Sequence, residues 1–196
     1  MYGIPGLTSP KVQSFINSMC SQADTYLEIG CYLGATACAA LNNNKLDAYF
    51  VDTWDEDIRP YRDDIQLPKN DKELFKENIR QFKGENNVNI FHCDMFDVDL
   101  SKIKPIDIFF YDGPHGEDTI NKVFQYYYPV LSDTCLVIVD DANFSGVVSG
   151  TNSALEKLNV NIIHSRLLLN YIEDELEWWN GLYILLVNKK NRKLIC

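Results

Sequence analysis

The stretch Thr25-Tyr26-Leu27-Glu28-Ile29-Gly30-Cys31-Tyr32-Leu33-Gly34 decides how the chain is read. Residues 25–29 read as a buried strand, and the Ala-rich residues 33–42 read as a helix. Between them, Gly30 permits a tight turn and Gly34 lets the helix pack close to the strand. The same alternation continues outward. Upstream, Ser9-Pro10 is a helix-start pair, and Val12, Phe15, Ile16 and Met19 follow at helical spacing over 9–21. Downstream come a strand at 47–51, an amphipathic helix at 71–83, a strand at 88–93 and a continuous apolar strand at 106–111. A helix at 117–130, a strand at 135–139 and a helix near 150–158 precede two last strand candidates, 160–169 and 181–188. Apolar strands alternating with helices predict an α/β domain whose parallel sheet is covered on both faces. No helical pattern separates the last two strands, so they are expected to pair as an antiparallel hairpin over 160–188.

A chain of 196 residues suits one domain, 1–196, with an N-terminal helix inside 1–23. The link 53–70 carries Trp54, Asp55, Arg59, Tyr61 and Arg62 and is long enough to act as a lid. The formal net charge of −10 gives no basic footprint for nucleic acid and suits a cationic ligand or a metal ion. Lys189, Lys190, Arg192 and Lys193 read as a solvated tail. No apolar run reaches bilayer length and no secretory pattern opens the chain, so a cytoplasmic location without membrane partners is the expectation. The six cysteines include no CxxC pair, which argues against a zinc ribbon. The clusters Tyr126-Tyr127-Tyr128 and Trp178-Trp179 read as core or homodimer contacts.

In a sheet of this kind ligands bind beyond the carboxyl ends of the strands. The residues there are Gly30, Asp52, Asp94, Asp112 and Asp140, four of the five acidic. A dinucleotide loop, G-x-G-x-x-G, needs its second glycine for pyrophosphate, and here that position is Tyr32. A ligand without phosphates is compatible with the bulky side chain. Asp52, twenty-two residues after Gly30, is placed either to accept from a ribose diol or to cap a loop. Asp94 is placed either to accept from an adenine amino group or to cap the short helix after it. Trp54 is a candidate cover for the adenine face, with packing on the core as the alternative.

These residues resemble those of the class I S-adenosylmethionine-dependent methyltransferases. Glu28-x-Gly30-x-x-x-Gly34 is similar to their first motif, Asp52 to their acidic second-strand residue, and Asp94-Met95 to the pair flanking the adenine. The resemblance runs from about residue 24 to the end. It implies a seven-stranded Rossmann-like sheet in the order 3-2-1-4-5-7-6 with strand 7 antiparallel, and S-adenosylmethionine held by Glu28, Gly30, Tyr32, Gly34, Asp52, Trp54, Asp94, Met95 and Asp112.

Two further segments, Tyr111-Asp112-Gly113-Pro114-His115 and Val139-Asp140-Asp141-Ala142-Asn143, follow strands four and five. They resemble the metal-dependent macrocin and aminocoumarin sugar O-methyltransferases, which implies a metal at Asp112, Asp140 and Asp141. Hard oxygen ligands suit Mg²⁺ or Ca²⁺. The alternative is that Asp140-Asp141 caps a turn or pairs with lysines. Where some members carry a second acid this chain has Pro114, so the base role passes to the neighbouring His115, with Asp112 beside it. The expected activity is metal-assisted O-methylation of a small hydroxylated or glycosylated molecule. A non-catalytic cofactor-binding or assembly protein of the same fold, and a nucleotide-dependent oxidoreductase, are the rival readings.

Overall fold

The computed structural model describes residues 3–55, 70–170 and 176–189. The expected lid therefore lies outside the described residues over 56–69, and so do Lys190, Arg192 and Lys193. The elements run α1 (Pro10–Cys20), β1 (Thr25–Ile29), α2 (Ala35–Leu41), β2 (Asp47–Asp52), α3 (Asp71–Phe82) and β3 (Asn87–His92). They continue with β4 (Ile106–Tyr111), α4 (Glu117–Tyr127), β5 (Leu131–Asp140), α5 (Ser145–Lys157), β6 (Asn161–Leu168) and β7 (Leu182–Asn188). The chain forms one seven-stranded sheet in the order β3-β2-β1-β4-β5-β7-β6. Pairs β1–β2, β1–β4, β2–β3 and β4–β5 are parallel, and β7 is antiparallel to both β5 and β6.

Alternate residues of the inner strands feed two cores, as the pleat requires. Leu27, Tyr49, Phe109 and Val137 pack with Phe124 and Tyr127 of α4 and Ala154 and Leu155 of α5. Tyr26, Phe50 and Phe110 point the other way, onto Ile16 of α1, Leu41 of α2 and Phe75 of α3. Helix α1 starts where the sequence indicates because Ser9 caps it, its hydroxyl accepting from Val12 N at 3.1 Å. Every residue of α2 is buried, and its small side chains let it lie flat on the sheet. Helix α4 ends at Tyr127, short of the expected 130, because Pro129 cannot continue it and the chain tightens into a 3-10 turn at Tyr128–Val130. Helix α5 begins at Ser145, five residues before the expected start. Strand β6 forms the sheet's edge and leaves Ile162, Ile163 and Leu167 exposed. Among the described residues no helix is long and apolar enough to cross a membrane.

The chain enters β1 and winds outward first through β2 and β3, then through β4 and β5 on the other side. The point of reversal, between the ends of β1 and β4, opens a crevice.

Candidate functional site

A cavity of about 870 Å³ fills that crevice. Its wall includes nine of the residues singled out from the sequence: Gly30, Tyr32, Asp52, Trp54, Asp94, Met95, Asp112, His115 and Asp141. Glu28, Gly34 and Asp140 are not part of that wall.

The glycine loop is held by backbone contact. Gly30 has φ 85°, and a Cβ there would lie 1.7 Å from the carbonyl oxygen of Asp112. The approach is fixed by Asp112 N donating to Ile29 O at 2.9 Å. Gly34 has φ 88°, and a Cβ there would meet Phe75 Cδ2 at 2.9 Å, so its role is packing rather than ligand contact. Tyr32 adopts φ 44°, a glycine-like conformation kept by a bulky residue. Asp52 supports it. Its Oδ2 accepts from Cys31 N at 2.7 Å and Tyr32 N at 2.9 Å, and its Oδ1 accepts from Trp54 N at 2.7 Å. Asp52 thus caps the loop while facing the cavity. Trp54 combines both of its readings: it is 8% exposed, packs on Phe75 with ring centroids 4.9 Å apart, donates from Nε1 to Tyr32 O at 2.8 Å, and still borders the cavity.

Glu28 lies fully buried beneath this loop. Tyr26 Oη donates to it at 2.7 Å and Thr36 Oγ1 at 2.6 Å. Burial pushes its carboxyl up to about 8, the two hydroxyls pull it back, and nearby Asp52 adds to the rise. On the β3 side Asp94 caps its own turn, Oδ1 accepting from Phe96 N at 2.8 Å, and Met95 O accepts from Tyr127 Oη at 2.6 Å.

Beyond β4 and β5 the acids take distinct places. Asp112 has its carboxyl raised well above the usual range, first by burial and then by Asp140 and Asp141. Asp140 is 6% exposed and its Oδ1 accepts from Asp141 N at 2.9 Å. Asp141, at φ 60°, turns its Oδ2 to His115 Nε2 at 2.6 Å. That contact raises the imidazole above its ordinary value against the opposing effect of partial burial, and Asp141's charge adds to it. The His115 ring stacks on Phe144, centroids 4.6 Å apart and planes 20° from parallel. The placement of the three aspartates gives no support to the metal expected of them. Asp141 is engaged by His115 and Asp140 lies behind the cavity wall. Among the described residues no group of three or more His, Cys, Asp or Glu side chains is arranged to hold a metal ion.

A family model described as a methyltransferase domain matches residues 27–142, more than half of the sequence. The chain belongs to the methyltransferase-domain family. No curated protein matches it significantly. The fold of this methyltransferase-domain protein is similar to three solved structures of low identity. Cofactor-bound Rv0187 from MTB is 14% identical with a TM-score of 0.63, over 96% of this chain and 85% of that one. An O-methyltransferase from Bacillus cereus in complex with SAH is 14% identical with a TM-score of 0.64, over 94% and 84%. The O-methyltransferase TomG from Streptomyces achromogenes, involved in tomaymycin synthesis and in complex with SAM, is 15% identical with a TM-score of 0.59, over 90% and 79%.

The cavity of this methyltransferase-domain protein also has walls that the sequence did not mark. Gly6, Leu7 and Thr8, ahead of α1, form one of them, and Phe144 and Trp179 form another. Of the tryptophan pair read as core or dimer contacts, Trp178 packs edge-on against Phe15 at 5.9 Å, whereas Trp179 lines the cavity. Phe144, 48% exposed beside the cavity, follows Asp141 by three residues, which was the available signal. The segment 6–8 carries no comparable signal.

Proposed function

We propose that this protein is an S-adenosylmethionine-dependent O-methyltransferase acting on a small hydroxylated molecule. The observation that carries the reading is the His115–Asp141 pair on the wall of an acid-lined cavity at the sheet's point of reversal. Membership of the methyltransferase-domain family supports methyl transfer, and the similar structures with SAM or SAH support the cofactor.

The residues fit that cofactor. The cavity volume lies within the range of small-molecule sites, about 300–1,000 Å³. Asp52, Asp55, Asp71, Asp94, Asp112 and Asp141 line it, which suits a ligand bearing sulfonium and ammonium charges. Tyr32 in place of a second loop glycine disfavours a pyrophosphate ligand, and with it the oxidoreductase reading. In this proposal Asp52, Trp54, Asp94 and Met95 border the adenosine end, while Gly30 and Asp112 border the methionine end. Glu28 and Gly34 act from beneath by shaping the loop.

When bound, the cofactor supplies an electrophilic methyl group on a sulfonium. The chain's task is to orient the acceptor and take its proton. His115 Nε2 is committed to Asp141, which fixes the tautomer and leaves Nδ1 to accept the acceptor's hydroxyl proton. Asp141 then stabilises the imidazolium, and Phe144 keeps the ring from rotating. With the cofactor bound, the sulfonium methyl would be the group passed to the acceptor oxygen, the electron pair of its bond to sulfur remaining on sulfur, while His115 holds the acceptor's proton. The pair argues against the non-catalytic reading, because a binding module has no use for an oriented base.

The test is transfer of isotope-labelled methyl from S-adenosylmethionine to a panel of phenols, sugars and amines. Oxygen-linked label is expected, and His115→Ala should lower kcat by about 10²–10⁴ while leaving S-adenosylhomocysteine affinity unchanged. Label confined to nitrogen, or undiminished turnover by His115→Ala, would contradict the assignment.

A further inference from the structure

Two side chains fix the His115 ring, and both stand within two residues of Asn143. His115 Nε2 meets Asp141 Oδ2 at 2.6 Å, and Phe144 stacks on the ring. The turn that carries them is closed by Phe144 N donating to Asp141 O at 3.0 Å. Asn143 itself does not line the cavity. Its half-buried side chain reaches instead to Asn170, two residues beyond β6. Its Oδ1 accepts from Asn170 N at 3.1 Å, and its Nδ2 donates to Asn170 O. One side-chain amide thus takes both the donor and the acceptor of a single backbone residue, as a neighbouring strand would.

The sheet explains why a side chain serves there. Strand β7 lies between β5 and β6, and Leu182 faces Asp140 on one side and Leu168 on the other. A continued ladder would set Asn170 against Asn180. Asn180 instead has φ 58° and Gly181 φ 82°, which no strand adopts. The carbonyls of these two residues turn to the β5 side, Gly181 O accepting from Ala142 N at 3.2 Å and Asn180 O from Asn143 N at 2.7 Å. The Asn143 amide takes up Asn170 in their place. Gly181 leaves it room, since a Cβ there would lie 2.6 Å from Asn143 Oδ1. Asn143 therefore ties the loop that holds His115 to both strands of the terminal hairpin. Trp179 and Asn180, which line the cavity, belong to the same knot.

We propose that Asn143 is a positioning residue for the base, holding Asp141 and Phe144 in register with His115. The inference rests on the reading of His115 as that base. Asparagine combines donor, acceptor and short reach, whereas Asp has the reach without the donor.

Two measurements test it. The chain has three histidines, so their ring ¹⁵N signals can be told apart in the free protein. In Asn143→Ala the His115 signals should move toward those of free imidazole exchanging its tautomers, with His92 and His164 unmoved. The second measurement is a double-mutant cycle on transfer to the acceptor found in the labelling panel. Asn143→Ala should lower kcat about ten- to a hundred-fold, leave S-adenosylhomocysteine affinity unchanged, and cost little more in a His115→Ala background. Asn143→Asp, the same shape without the donor, should behave alike and serves where the Ala variant does not fold. Unmoved His115 signals, equal movement of all three histidines, or losses that multiply across the cycle overturn the inference alone. Undiminished turnover by His115→Ala overturns the proposed base and the inference together.

Discussion

Replacing Glu28 by Gln should make the protein more stable near neutral pH and leave it almost unchanged in acid. Glu28 is fully buried, and its carboxyl rises from 4.5 to about 8 on folding. Between those values the native state keeps a proton that the unfolded chain has released. Its contribution to stability is therefore fully present below the unfolded value and is lost as pH rises through the folded one. The slope is about 1.4 kcal/mol per pH unit, so raising the pH from about 5 to about 7.5 costs about 3 kcal/mol from this group alone. Gln cannot ionise, and it keeps the local bonds: its carbonyl accepts from one of the Tyr26 and Thr36 hydroxyls and its amide donates to the other. For a chain of this length the gain corresponds to a Tm about 6–12 °C higher at the upper pH. The assay is thermal unfolding of parent and variant across that range. Parallel Tm–pH curves would refute the reasoning, because they would mean that Glu28 ionises alike in both states.

The methyl-transfer rate should rise with pH through an apparent pKa above that of free histidine, since Asp141 holds the proton on His115, and Asp141→Asn should move the limb to lower pH; a limb that does not move would remove Asp141 from the base's environment. Dialysis against a strong chelator should leave turnover unchanged, because in this proposal the His115–Asp141 pair alone takes the acceptor's proton; a loss restored by Mg²⁺ would return Asp112, Asp140 and Asp141 to the role of metal ligands. Gly30→Ala should destabilise the protein by more than about 3 kcal/mol in denaturant unfolding, since backbone, not a movable side chain, occupies the space of the added Cβ.

The inner strands were legible because β1, β2 and β4 are largely buried and mostly apolar, whereas their order came from the family resemblance and not from the runs themselves. Strand β6 was readable as a strand, but its exposure was not, because an edge position follows from the order of pairing rather than from composition. The acids at the strand ends were also visible, yet their partners were not. Asp52 is occupied by the amides of a loop whose Tyr32 takes a left-handed conformation, and Asp141 meets His115 from another left-handed residue position. Those backbone turns at non-glycine residues leave no trace in spacing. The same reason separates Asp140 from the cavity although it adjoins Asp141 in the chain. Thr8 and Trp179 reach the site only because α1 and the segment before β7 fold back over it, a long-range packing result.

The central claim is that the cavity between β1 and β4 binds S-adenosylmethionine. Calorimetric titration of the full chain with S-adenosylhomocysteine, with NAD as the comparison, tests it most directly. The account predicts saturable one-to-one binding of S-adenosylhomocysteine and none of NAD. Absence of S-adenosylhomocysteine binding, or a preference for NAD, would contradict it.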